Sequence, residues 1–158
     1  MMYQKGDKVV YPLYGAGVIE GLENKDIDGE ILAYYVLTIP VGNLKIMISA
    51  AKAESHNVRY VLPKDEILKI LSSSHEDGDM PDNWNQRYKE NMARIKSGDL
   101  AQVSIVFNSL LLRERAKGLS TAEKKMMTTT KQIILSELIL SLDIERPEAE
   151  EILDNSFQ

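Results

Sequence analysis

Up to about residue 60 the apolar positions come in short runs that fit β-strands: DKVVYP, GVIEGLE, ILAYYVLTI, LKIMIS and VRYVL. Turn residues separate them. Gly15-Ala16-Gly17 follows the first run, Asp28-Gly29 suits a two-residue type I′ hairpin, and Gly42-Asn43 can supply positive φ before the fourth. Strands this short must curl over a shared core to bury one face, which predicts a small SH3-like or Tudor-like barrel.

From Pro63 the apolar period becomes helical. Pro63 opens a first helix whose Ile67, Ile70 and Leu71 share a face, and the polar, acidic stretch SSSHEDGDMPD at 72–82 then reads as a linker. A second helix is expected from Asp82 or Asn83 to Ser97-Gly98. Asp99 can cap a third, with Leu100, Val103, Phe107, Leu110 and Leu111 facing a core, up to Gly118. Ser120 and Glu123 form a capping box for a fourth helix that runs to Leu142, and a last one starts near Pro147. The expected class is therefore α+β: an N-terminal β-barrel over 1–62, a short helix and acidic linker over 63–81, and a compact C-terminal helical bundle over 82–158.

Composition leaves this picture intact and narrows the setting. With 44% hydrophobic and 27% charged residues among 158, the chain has the profile of a folded domain. The absence of cysteine excludes disulfides and thiolate chemistry and favours a reducing compartment, so the cytoplasm is the expected location. The greasiest run, IILSELILSL at 133–142, is too short to span a bilayer and contains Glu137; it suits a bundle core, or alternatively a dimer contact. No membrane role is expected.

Charge changes the picture more. The net charge is −5, yet residues 82–132 hold 10 basic and 5 acidic side chains, against 8 and 12 before them and 1 and 7 after. A basic block of this kind is either a set of solvated helix faces or a patch that meets phosphates.

Catalytic chemistry finds no foothold in the residues. Gly15, Gly17 and Gly21 have the wrong spacing for a dinucleotide fingerprint and are followed by β-type residues, so they read as turn glycines. His56 and His75 are isolated, and Ser72, Ser73 and Ser74 have no framed elbow. No enzyme activity, metal or other cofactor is expected.

The only tryptophan lies inside the basic block. Trp84, Tyr88, Met92 and Ile95 have the spacing of a buried helix face, which makes Trp84 a candidate core residue. It also lies in the first turn of a helix, beside Asn83, Asn85, Gln86, Arg87 and Lys89, where an aromatic ring can project past the bundle and stack on or wedge between bases while cations hold phosphates. Periodicity leaves both readings open.

Several stretches together resemble one family. GDKVVYPLYGAGVIEGLE at 6–23, DGE at 28–30, NWNQRYKEN at 83–91, SGD at 97–99, GLSTAEKKM at 118–126 and ILDN near the C-terminus occur in the order found in the CarD/CdnL family of bacterial transcription regulators, and the resemblance covers nearly the whole chain. It implies a Tudor-like domain that docks on the β subunit of RNA polymerase, a module shared with the transcription-repair coupling factor. It further implies a helical half that meets promoter DNA at the upstream edge of the melted region, with a tryptophan wedge in the minor groove. Trp84 matches that tryptophan; Arg87, Tyr88 and Lys89 match its neighbours; Arg113 and Lys124 match basic positions, with Lys117 and Lys125 adding charge nearby. On the docking side Lys25 and Met47 stand where one well-known version of the family has arginines, so docking here is expected to be more apolar, with Ile27 and Met47 in contact. A monomer is favoured. The competing reading is a protein-interaction module that bridges polymerase to another factor without touching DNA.

Overall fold

The computed structural model describes residues 2–73 and 80–157, so His75 and most of the expected acidic linker lie outside the described residues. Five strands come first: β1 (Lys8–Tyr11), β2 (Gly15–Ile27), β3 (Glu30–Ile39), β4 (Leu44–Ser49) and β5 (Arg59–Tyr60), in one antiparallel sheet of order β4-β3-β2-β1-β5. Asp28 at φ 53° and Gly29 at φ 83° form the tight turn between β2 and β3, as their residue types require. The sheet folds its inner face over Tyr3, Val9, Ile19, Tyr35, Leu37, Ile39 and Ile48, all buried. Each such aliphatic or aromatic side chain contributes about 1.5–3 kcal/mol by leaving water.

Gly15, Gly17 and Gly21 are strand residues, which corrects their reading as turn glycines. Their small size serves close approach and bending. A Cβ on Gly15 would lie 2.7 Å from Ser136 Oγ, one on Gly17 would lie 2.5 Å from the Thr38 carbonyl oxygen, and Gly21 sits at the register shift of the β2–β3 ladder.

Five helices follow: α1 (Lys64–Ser72), α2 (Trp84–Lys96), α3 (Leu100–Ala116), α4 (Thr121–Leu142) and α5 (Arg146–Ser156). Three starts carry the caps that the sequence suggests: Asn83, Asp99 and Ser120 accept from the backbone N–H of Gln86, Ala101 and Glu123. Ile67 and Leu71 of α1 are buried in the same core as Ile95, Leu100, Phe107, Leu110, Met126, Ile134 and Leu138. No helix among the described residues is long and apolar enough to cross a membrane.

The sheet and the helices are joined by a polar seam. Glu137, fully buried in the C-terminal half of α4, accepts from Arg59 Nη1 and Nη2 at 2.7 and 2.8 Å and from the Leu62 N–H at 2.9 Å. Ser136 Oγ takes the Ala16 N–H at 2.8 Å, and Lys8 Nζ donates to the Leu140 carbonyl at 2.9 Å. A bidentate pair plus a backbone donor satisfies the buried carboxylate and fixes the orientation of strands on helix.

Candidate functional site

The starts of α2 and α4 and the end of α3 converge at one end of the bundle. Asn83 caps α2 and makes Trp84 its first residue, clear of the turns that would bury it; Trp84 is 41% exposed. Tyr88, one turn on, backs the indole with ring centroids 5.3 Å apart and planes at 19°. The indole Nε1–H donates to Ser120 Oγ at 3.1 Å. Of the two readings of the Trp84–Tyr88–Met92–Ile95 stripe, burial therefore holds for Ile95 and fails for Trp84, with Tyr88 and Met92 half-buried between.

Arg87 corrects an expectation. Assigned from the sequence to contact DNA, it is 3% exposed, with Nε and Nη2 donating to the two oxygens of Glu123 at 2.7 and 3.1 Å. Its Nη1 donates to the carbonyls of Pro81 and Asp82 at 3.2 and 3.0 Å. Buried and held by these four bonds, the guanidinium does not face solvent where a phosphate could meet it. Hydrogen bonding to Arg87 holds the Glu123 carboxyl below the usual glutamate range despite burial, and Glu123 in turn raises Arg87. The pair anchors the segment that leads into Trp84.

Lys89, Lys117, Lys124 and Lys125 are exposed around this end, and among the described residues none of them is in an ion pair. Lys124 lies in the first turn of α4 and Lys125 directly after it, where a helix dipole disfavours cations, so local stability does not explain them. Arg113 is half-buried in the last turn of α3, its Nε without a partner among the described residues, and its carbonyl accepts from the N–H groups of Lys117 and Gly118. Lys125 also lines a cleft of about 410 Å³ with Leu13, Tyr88, Met92 and Met126, where the loop after β1 meets α2 and α4.

A second candidate surface lies on the sheet. Register brings Lys25 opposite Leu32, Ile27 opposite Glu30, and Met47 opposite Val36, and alternation along β3 puts all six on its outer face. Ile27 is exposed near the tip of the β2–β3 ribbon, Lys25 is exposed, and Met47 is half-buried on edge strand β4. The strongly exposed Ile31 and the exposed Leu22 sit on the opposite face of the same ribbon.

Sequence reasoning did not find Ser120 as a partner of Trp84, or the Arg59–Glu137 seam. Ser120 was legible only as a cap. Glu137 did carry a signal, since a lone carboxylate in an otherwise apolar helical run must meet a partner if the run is buried. Among the described residues no group of three His, Asp or Glu side chains could hold a metal ion.

Comparison with known proteins agrees with this two-part organisation. Residues 3–62 match the family described as CarD-like/TRCF RID domain, and residues 66–154 match CarD, C-terminal domain. The chain is 36% identical over 140 residues to the "Putative transcription factor YdeB" of Bacillus subtilis (strain 168), covering 87% of this chain and 90% of that one. A Tudor-like sheet followed by a helical unit, each matched in order along one chain, makes this protein a member of the CarD/CdnL family.

Proposed function

We propose that this protein is a non-catalytic transcription regulator that docks on the β subunit of RNA polymerase through residues 1–62 and stabilises the promoter open complex through residues 82–158. Trp84 is the wedge at the upstream edge of the bubble, in the minor groove. Tyr88 backs the ring instead of reaching DNA itself, and Lys89, Lys117, Lys124, Lys125 and Arg113 meet the phosphates beside it. Arg87 braces the wedge from inside. The working location is the cytoplasm, at the nucleoid through polymerase.

The observation that carries this reading is an exposed indole at a helix start, supported on one face by Tyr88 and rimmed by exposed lysines that form no ion pair among the described residues. A large aromatic held rigid outside the core is suited to entering a base step, and the lysines supply the sequence-independent part of the affinity. With net charge −5 the free protein should bind duplex weakly. Docking on polymerase solves this by raising the local concentration of the helical unit at the promoter. On the sheet, Ile27, Met47 and Lys25 form the docking face. The seam through Arg59 and Glu137 supports a fixed distance between the two contacts.

A preference for the open over the closed complex of about 1.4 kcal/mol moves that equilibrium about tenfold, and no further. The test is the lifetime of open complexes formed by the cognate polymerase alone, with the protein, and with a folded Trp84→Ala variant. A longer lifetime that the variant loses supports the wedge. An unchanged lifetime with a protein that still binds polymerase would replace the wedge by a bridging role.

A further inference from the structure

The hydrogen-bond inventory of Ser120 is complete. A serine hydroxyl has one donor and two acceptor positions. Here the Oγ–H donates to Glu123 Oε1 at 3.1 Å, and the oxygen accepts from the Glu123 N–H at 3.2 Å and from Trp84 Nε1 at 3.1 Å. Glu123 is in turn gripped by Arg87, and Arg87 holds the carbonyls of Pro81 and Asp82, just ahead of Trp84. The contacts close into a ring that begins and ends at the start of α2.

We propose that Ser120 is a positioning residue for Trp84: it fixes the rotation of the indole and consumes its single hydrogen-bond donor. The inference rests on the wedge reading of Trp84 and adds how the wedge is aimed. Two consequences follow from the geometry. Stacking on Tyr88 restrains tilt but leaves the ring free to slide in its plane, and the Nε1 contact to a hydroxyl with no spare valence removes that freedom. The consumed N–H also cannot donate to the minor-groove acceptors of A·T pairs, so insertion is governed by shape and unstacking rather than by base-edge recognition. Without Ser120 the same indole would lose its fixed direction and, free to swing off Tyr88, become more accessible to solvent.

Trp84 is the only tryptophan, so its fluorescence reports this site alone in the full chain. Ser120→Gly removes the hydroxyl while glycine remains an accepted helix N-cap, and Ser120→Thr keeps the hydroxyl. In the free protein Ser120→Gly should raise acrylamide quenching of Trp84, and Ser120→Thr should return it to the wild-type value. In open-complex assays Ser120→Gly should shorten the lifetime about fivefold, the weight of one neutral hydrogen bond, and Ser120→Thr should rescue it. In a Trp84→Phe background, where no N–H exists to be held, Ser120→Gly should shorten it no further. Unchanged quenching with an unchanged lifetime, or an equal loss in the Trp84→Phe background, would overturn the positioning role while Trp84→Ala still shortens the lifetime. A Trp84→Ala variant with no effect on lifetime would instead remove the wedge reading, and the positioning role with it.

Discussion

Arg87 and Glu123, 36 residues apart in the chain, meet inside the helical unit with Nε and Oε2 at 2.7 Å and almost no exposure on either side chain. Breaking such a pair leaves one buried charge uncompensated, which costs about 3–5 kcal/mol. Arg87→Ala should therefore lower the melting temperature by about 10 °C, whereas a surface phosphate contact would leave it unchanged. Thermal unfolding of the free protein distinguishes the two.

The same pair sets part of the acid response. Glu123 is held below the ordinary value of 4.5 in the folded protein, so its contribution to stability is complete above that value. As pH falls the unfolded chain takes up the proton first, and stability drops until the folded carboxyl is protonated too. Arg87 stays charged throughout. Urea midpoints measured between neutral pH and about pH 3 should fall less steeply for Glu123→Gln than for wild type on this limb, from a lower starting stability.

Lysines around the proposed wedge should act through salt. If Lys124 and Lys125 each neutralise one phosphate, replacing either by glutamine should reduce the slope of log stimulation against log salt by about 0.9 and leave the fold intact. Arg87→Gln should not change that slope. Open-complex lifetimes over a potassium chloride series check both statements.

Ile27 is the sharpest probe of the proposed docking face, because it is exposed near a ribbon tip and absent from the sheet core. Ile27→Asp should weaken polymerase binding by about tenfold, a typical loss for an apolar contact at an interface, with little change in thermal stability. Pull-down titration with the isolated β-subunit lobe and a melting curve give the two readings. Equal loss of both would place Ile27 in the fold instead.

Gly15 tests the seam between sheet and helices. Its φ is +120° and its ideal Cβ position lies 2.7 Å from Ser136 Oγ, whose hydroxyl takes the Ala16 N–H. Gly15→Ala should cost about 1–3 kcal/mol through strain and a displaced α4, read as a lower urea midpoint. Gly29→Ala, with nothing within 4 Å of the new methyl, should pay only the backbone strain of its positive φ.

Local patterns made much of the architecture legible. Period-2 runs with Asp28-Gly29 between two of them specify the β2–β3 hairpin, because register and turn geometry depend on neighbours in the chain. Helix starts were readable for the same reason: Asn83, Asp99 and Ser120 act on N–H groups two or three residues ahead. The glycines of β2 were not, since the space that requires them belongs to Ser136 and Thr38 on other elements.

The candidate site divides along the same line. Sequence alone determined that an aromatic stands at the start of a helix within a basic block, since position in a helix and local charge are properties of contiguous residues. It could not assign Arg87, Tyr88 and Lys89 their separate duties, because consecutive side chains on a helix point about 100° apart and only packing decides which direction is inside. Tertiary structure sent Arg87 inward to Glu123, set Tyr88 beneath Trp84, left Lys89 in solvent, and brought Ser120 from 36 residues away to the indole N–H. A buried charge must find its counter-charge wherever the chain provides one, and that search is settled by the fold as a whole.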